Sequence, residues 1–125
     1  MNILFTLCGR AGSKGVKGKN AREFCGKPLV WYSMATIALY KELYARGINM
    51  SIVLNTDSEQ LIDLVQQVLD LEVGILHRSE NLAGDKVAKV DVIEDCLNRA
   101  EQMYGMNYDI VVDLDITSPL RTAED

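Results

Sequence analysis

The chain has 125 residues, enough for one domain around a single core. An apolar content of 48% and a charged content of 25% are those of an ordinary globular protein, and a formal net charge of −5 argues against general nucleic-acid binding. No run reads as a membrane span, and the start MNILFTLCGR lacks a basic segment ahead of its apolar run, so no signal peptide is expected and cytoplasm is the expected location. Cys8, Cys25 and Cys96 are odd in number, widely spaced and without a CxxC, which excludes a disulfide framework or a zinc site and leaves small buried hydrophobes. His77 is the single histidine, so a histidine-rich metal site is excluded as well.

Ile3 to Leu7 (ILFTL) is a short apolar run ended by a glycine, the pattern of a buried strand. Next comes GRAGSKGVKGKN, residues 9–20, with glycines at 9, 12, 15 and 18 and four bases (Arg10, Lys14, Lys17, Lys19) without an acid. A helix is expected from Lys27-Pro28-Leu29, with Pro28 near its first position, Val30, Met34, Ile37 and Ala38 on its buried face, and Gly47 as its stop. Met50 to Leu54 reads as the second strand. Asp57 with Gln60 has capping-box spacing at the start of a second helix, whose apolar face is Leu61, Leu64, Val65 and Val68. Leu71 to Leu76 reads as a third strand. A third helix is expected over roughly 87–104 with Val90, Ile93 and Leu97 buried, and Tyr108 to Leu114 as a fourth strand. Strands alternating with helices predict an α/β fold: an open parallel sheet with helices on both faces.

Ligands of such sheets bind beyond the carboxyl ends of the strands. The basic glycine loop, Asn55-Thr56-Asp57, the stretch from His77-Arg78 to Lys89, and Asp115 to Arg121 all fall at such ends. The glycine loop suits a phosphate cradle: glycines let backbone N–H groups approach an anion, Arg10 can grip it in two places, and Lys14 and Lys19 add mobile charges. It matches neither the Walker A loop nor GxGxxG. The competing reading is a solvated loop. Asp113 and Asp115 form a D-x-D pair able to hold Mg²⁺ on a triphosphate, or, alternatively, to cap local turns. Asp57 reads as a helix cap, His77 as structural, and Trp31 and Tyr32 as packing residues.

At these residues the chain resembles the acylneuraminate cytidylyltransferase family. GRAGSKGVKGKN stands close to its opening ARGGSKGxxxKN pattern. GKPL (26–29), NTDS (55–58), HRSENLAGD (77–85) and TSPLRTAED (117–125) resemble later motifs in order. The resemblance covers nearly the whole chain, and DLDITSPLR is most like the branch acting on legionaminic-type sugars. It implies a Rossmann-like, glycosyltransferase-A-like nucleotidyltransferase fold. The implied reaction joins CTP and a nine-carbon sugar acid into a CMP-sugar with release of pyrophosphate, with Mg²⁺ or another divalent cation. Carried over by position, Arg10 and Lys19 would act on the reacting phosphates. Gly12, Ser13, Lys14, Asn20 and Arg78 would join them in binding the nucleotide, Arg78 near the cytosine. Lys89, Asp115, Thr117 and Arg121 would contact the sugar, with Asp115 alternatively on the metal. Gly9 and Ala11 depart from the family's alanine and glycine, and Lys89 stands where many relatives carry serine. Family members are typically about twice as long as this chain, as single α/β domains. The resemblance therefore implies the amino-terminal, nucleotide-binding part of one truncated domain, from an enzyme that is homo-oligomeric at full length, with little activity in this polypeptide alone. No nucleic-acid or membrane partner is expected. The alternatives are a nucleotidyltransferase for another base or sugar, and a non-catalytic nucleotide-binding or assembly module.

Overall fold

The computed structural model describes residues 1–9, 23–24, 26–44, 46–68, 70–78, 89–114 and 116. The elements run β1 (Asn2–Gly9), β2 (Glu23–Phe24), β3 (Lys27–Pro28), α1 (Leu29–Tyr44), β4 (Asn49–Thr56), α2 (Glu59–Gln66), β5 (Gly74–His77), α3 (Lys89–Tyr104) and β6 (Ile110–Leu114). Four strands form one sheet in the order β5-β4-β1-β6, and β2 pairs with β3 in a separate small antiparallel ribbon. Every neighbour in the large sheet is parallel, with Leu7 opposite Leu54 on one side and Leu114 on the other. The expected parallel α/β sheet is therefore present.

Side chains along each strand alternate between two layers. Ile3, Phe5 and Leu7 of β1, Ile52 and Leu54 of β4 and Leu114 of β6 pack with Val30, Met34 and Ile37 of α1 and Leu61, Ile62 and Val65 of α2. Leu4 and Val53, on the other face, pack with Val92, Cys96 and Ala100 of α3. The chain steps outward from β1 to β4 to β5 with its helices on one face, then returns by α3 on the other face to place β6 beside β1. Right-handed crossovers demand this change of face when the direction of travel reverses. The reversal puts a topological switch point at the carboxyl ends of β1 and β6.

Local details differ from the sequence expectations. Ser58, not Asp57, caps α2: its backbone is extended and its side chain accepts from the Leu61 N–H at 3.2 Å. Pro28 ends β3 one residue ahead of α1 rather than opening the helix. The third long strand starts at Gly74, three residues later than expected, and includes His77. The buried stripe of α3 is Val92, Cys96 and Ala100, while Val90 is 67% exposed. Small residues at 96 and 100 let the helix lie close on Leu4 and Val53, and the bulkier Ile93 and Leu97 fall to the side. The end of α3 also lies tight against the sheet, where a Cβ at Gly74 would come 2.5 Å from Tyr104 Oη. Gly105 stops the helix with a φ of 63°, which costs glycine little. Trp31 is a packing residue as expected: its Nε1 donates to the Leu64 carbonyl at 2.8 Å.

Candidate nucleotide site at the carboxyl edge of the sheet

Polar residues at the amino edge of the sheet serve one another. Asn2 Nδ2 donates to the Asn107 carbonyl at 2.8 Å, Asn49 Nδ2 to Asn2 Oδ1 at 3.0 Å, and Asp109 accepts from the Asn2 backbone. The carboxyl edge is different, because two polar clusters there lie on the α3 face with groups aimed beyond the strands.

The first cluster joins β1, β6 and α3. Thr6, fully buried, donates from Oγ1 to Asp113 Oδ1 at 2.7 Å, and Lys89 Nζ lies 2.8 Å from Asp113 Oδ2. Asp113 thus sits on the same layer as Thr6, as period-two alternation along neighbouring strands requires. Its carboxylate is engaged on both oxygens, and the other member of the D-x-D pair, Asp115, lies outside the described residues. Among the described residues no group of three His, Cys, Asp or Glu side chains stands where it could hold a metal ion.

The second cluster joins β4, the residue after β5, and α3. Asn55 is fully buried at the end of β4. Its Oδ1 accepts from Arg78 Nε at 2.7 Å, and its main-chain carbonyl accepts from Arg78 Nη2 at 3.2 Å. On its other side Asn55 Nδ2 donates to Asp95 Oδ2 at 3.3 Å. Arg99 Nη1 donates to that same oxygen at 3.1 Å and to the His77 carbonyl at 2.9 Å. Arg78 is held further by its own N–H on the Thr56 carbonyl at 2.9 Å.

Between the clusters, Cys8 Sγ and Cys96 Sγ approach to 3.9 Å. The Cys8 thiol is pushed above its ordinary value, first by its hydrogen bond with Cys96 and then by burial. Cys96 is shifted down first by that same bond with Cys8, with the Asn55 amide and Arg78 helping, against the opposing effects of burial and the Asp95 charge. A hollow of about 360 Å³ lined by Trp31, Met34 and Leu71 belongs to the other face of the sheet.

Of the residues expected to bind ligand, Arg78 and Lys89 are described, and both stand at this edge. Arg10, Gly12, Ser13, Lys14, Lys19, Asn20, Asp115, Thr117 and Arg121 lie outside the described residues, as does Cys25. Reading the sequence alone missed the partners that hold Arg78. Asn55 was visible as a polar residue ending an apolar run, and Asp95 with Arg99 as an i,i+4 pair, but nothing local linked them to residue 78.

The parallel sheet, its switch point and the polar carboxyl edge define an α/β protein with a nucleotidyltransferase fold. A solved structure, a CMP:2-keto-3-deoxy-manno-octonic acid synthetase complexed with CTP, shares that fold. Its TM-score is 0.68 at 17% identity, over 100% of this chain and 44% of that one. The family model described as "Cytidylyltransferase" matches residues 7–125, and the chain belongs to that family. Among curated relatives it is 36% identical to the "CMP-N,N'-diacetyllegionaminic acid synthase" of Campylobacter jejuni, over 94% of this chain and 46% of the relative. It is 37% identical to the protein of that name from Legionella pneumophila, over 99% and 50%. It is also 36% identical to "Post-translational flagellin modification protein B" of Campylobacter coli, over 98% and 49%. The chain thus spans about half the length of these relatives. Among the described residues no helix is long and apolar enough to cross a membrane.

Proposed function

We propose that this chain is the nucleotide-holding part of an enzyme that activates a nine-carbon, legionaminic- or sialic-type sugar acid with CTP. The anomeric hydroxyl attacks the α-phosphorus of CTP, the bond to the β-phosphate oxygen breaks, and the products are the CMP-sugar and pyrophosphate. Negative charge grows on the phosphate oxygens during transfer, so the protein contributes position and positive charge. The observation that carries this reading is the Cytidylyltransferase match over residues 7–125, with Arg78 clamped at the carboxyl edge of the sheet.

In this reading Arg10, Gly12, Ser13, Lys14 and Lys19 hold the triphosphate, Lys19 and Arg10 meet the charge that develops, and Asn20 and Arg78 meet the nucleoside. Lys89, Asp115, Thr117 and Arg121 face the sugar acid. A divalent cation on the triphosphate would neutralise charge, with Asp115 as its protein ligand in the alternative to its contact with the sugar. Among the described residues no cluster of ligand-type side chains makes a metal site, and no step here runs through the ion. The domain is one nucleotidyltransferase domain of which residues 1–125 are the nucleotide-binding part, and the complete enzyme is a homo-oligomer.

Thermal unfolding with Mg²⁺ and each of CTP, UTP, ATP and GTP tests the reading. A ligand held by the folded state at 100 times its Kd adds about 2.7 kcal/mol. The expected result is stabilisation by CTP above the other three. Equal shifts with every nucleotide, or a larger shift with another base, would move the assignment to a different nucleotidyltransferase. No shift with any of them would remove nucleotide binding from this chain.

A further inference from the structure

We propose that Asp95 is a positioning residue for the nucleotide site: it fixes the amide orientation of Asn55, and Asn55 in turn sets the plane of the Arg78 guanidinium. The proposal rests on the reading that Arg78 meets the nucleotide.

A side-chain amide is nearly symmetric in shape but not in polarity, with two donors on nitrogen and an acceptor on oxygen. Which end faces which neighbour is decided by the partners. Asp95 Oδ2 lies 3.3 Å from Asn55 Nδ2, and a carboxylate can only accept. The nitrogen must therefore face α3, which leaves Oδ1 to face Arg78 Nε at 2.7 Å. Turned over, the amide would set its carbonyl against a carboxylate and its NH₂ against an N–H, both around a fully buried side chain. Arg78 Nε–H, which can only donate, favours the same orientation from the ligand side, and Asp95 locks it from the α3 side, so the amide stays set when Arg78 turns to a ligand.

The consequence at Arg78 is geometric. Nε on the Asn55 side chain and Nη2 on the Asn55 carbonyl engage two edges of one rigid plane. Among the described residues Nη1 has no hydrogen-bond partner, so the clamped plane presents that edge to a ligand. Arg99 steadies the device from behind, with Nη1 on the same Asp95 oxygen and on the His77 carbonyl, one residue before Arg78. The relay runs from Arg99 through Asp95 and Asn55 to Arg78, and it uses side chains from α3, β4 and the end of β5.

Asp95 and Arg99 form an i,i+4 pair with side chains 26% and 35% exposed, a kind of contact that contributes little to stability. Asp95→Ala also removes an acceptor of the fully buried Asn55 amide, so some loss of stability is expected whatever its role at the nucleotide site. A positioning role predicts, beyond that, a loss of nucleotide affinity measured at a temperature where the variant is fully folded, and its rescue by Asp95→Asn. The experiment is calorimetric titration of CTP with Mg²⁺ into the wild-type chain and into Asp95→Ala, Asp95→Asn, Arg78→Ala and the Asp95→Ala/Arg78→Ala double variant, each checked by thermal unfolding. Nitrogen-15 spectra of the Arg78 Nε–H without ligand supply a second readout. We expect Asp95→Ala to raise the CTP Kd about tenfold and to lose the slowly exchanging Arg78 Nε–H signal. Asp95→Asn should restore both, because an asparagine can turn its carbonyl toward Asn55. The double variant should be no weaker than Arg78→Ala. If Arg78→Ala weakens CTP and Asp95→Ala does not, or if the two losses simply add, the positioning role is overturned while the nucleotide reading stands. If wild type binds CTP and Arg78→Ala leaves that affinity unchanged, or if wild type does not bind CTP, the underlying reading of Arg78 falls and the proposal falls with it.

Discussion

Replacing Asp113 by alanine removes the acceptor of two donors at once, and the two losses are unequal. Thr6 is fully buried, and its hydroxyl donates at 2.7 Å to Asp113 Oδ1. A hydrogen bond to a charged group contributes about 1.5–3 kcal/mol, and the buried hydroxyl would be left unpaired. Lys89 meets the other oxygen at 2.8 Å, but its side chain is 51% exposed against 17% for Asp113. An ion pair that open to water contributes about 0.2–1 kcal/mol. Asp113→Ala should therefore cost about 2.5 kcal/mol. Asp113→Asn keeps an acceptor for Thr6 and should cost about 1 kcal/mol. Lys89→Met loses the ion pair and should cost about 0.5 kcal/mol. For a domain of this size 1 kcal/mol corresponds to about 4 °C in Tm, so the drops are about 10, 4 and 2 °C. Differential scanning calorimetry at pH 7 measures them directly. If Asp113→Asn proves as damaging as Asp113→Ala, charge rather than the buried hydroxyl dominates, and the reasoning is refuted. A Lys89→Met loss equal to that of Asp113→Ala would refute it too.

Ser58→Ala should lower stability by about 1 kcal/mol because the Leu61 N–H loses its cap, and Ser58→Asp should restore it; guanidinium titration distinguishes the two. On α3, Val92→Ala should cost about 2 kcal/mol and Val90→Ala less than about 0.5 kcal/mol. The reverse order in thermal melts would contradict the burial of the Val92, Cys96 and Ala100 stripe. Alkaline stability follows from two acids whose folded values are raised. Cys8 is raised from 9.0 by its bond to Cys96 and by burial, and Tyr104 from 10.0 by burial and then by Glu72 and Tyr108. Each stays protonated in the folded chain where the unfolded chain has already ionised, so its contribution is present below those ordinary values and is lost as pH climbs past them. Cys96 shifts the other way, and its contribution is complete once pH passes its ordinary value of 9.0. The Tm should therefore decline from about pH 9 upward, and less steeply in Cys8→Ala. A wild-type profile flat between pH 9 and 11 would count against the buried thiol pair.

The apolar runs at 3–7 and 50–54 lie within β1 and β4, and β6 at Ile110–Leu114 lies within the run expected at 108–114, because a buried parallel strand is written in its own residues. The helices were legible for the same reason, and Gly47 carries the positive φ, 75°, expected of a stop signal. The concentration of bases and glycines after the first strand, and the family likeness, were also properties of the sequence alone. The cap of α2 was displaced by one residue because Asp57 and Ser58 are both good caps, and only the entry angle of the chain selects between them. The α3 stripe was misjudged because Cys96 and Ala100 have modest hydropathy, and their value lies in letting the helix come close.

What the sequence by itself determined is the alternation of strands and helices, the carboxyl edge as the place where polar residues gather, and membership of the cytidylyltransferase family. Each depends on residues that are neighbours in the chain. Only the tertiary structure decided that β6 returns beside β1, that Asp113 closes on Thr6 and Lys89, and that Arg78 is clamped by Asn55 with Asp95 behind it. Thr6 and Asp113 are 107 residues apart, Asn55 and Asp95 are 40 apart, and Arg78 lies 23 from Asn55. Contacts of that kind follow from strand order and crossover handedness, which no local periodicity encodes. Burial then makes their hydrogen bonds obligatory, and the sheet brings their partners within reach.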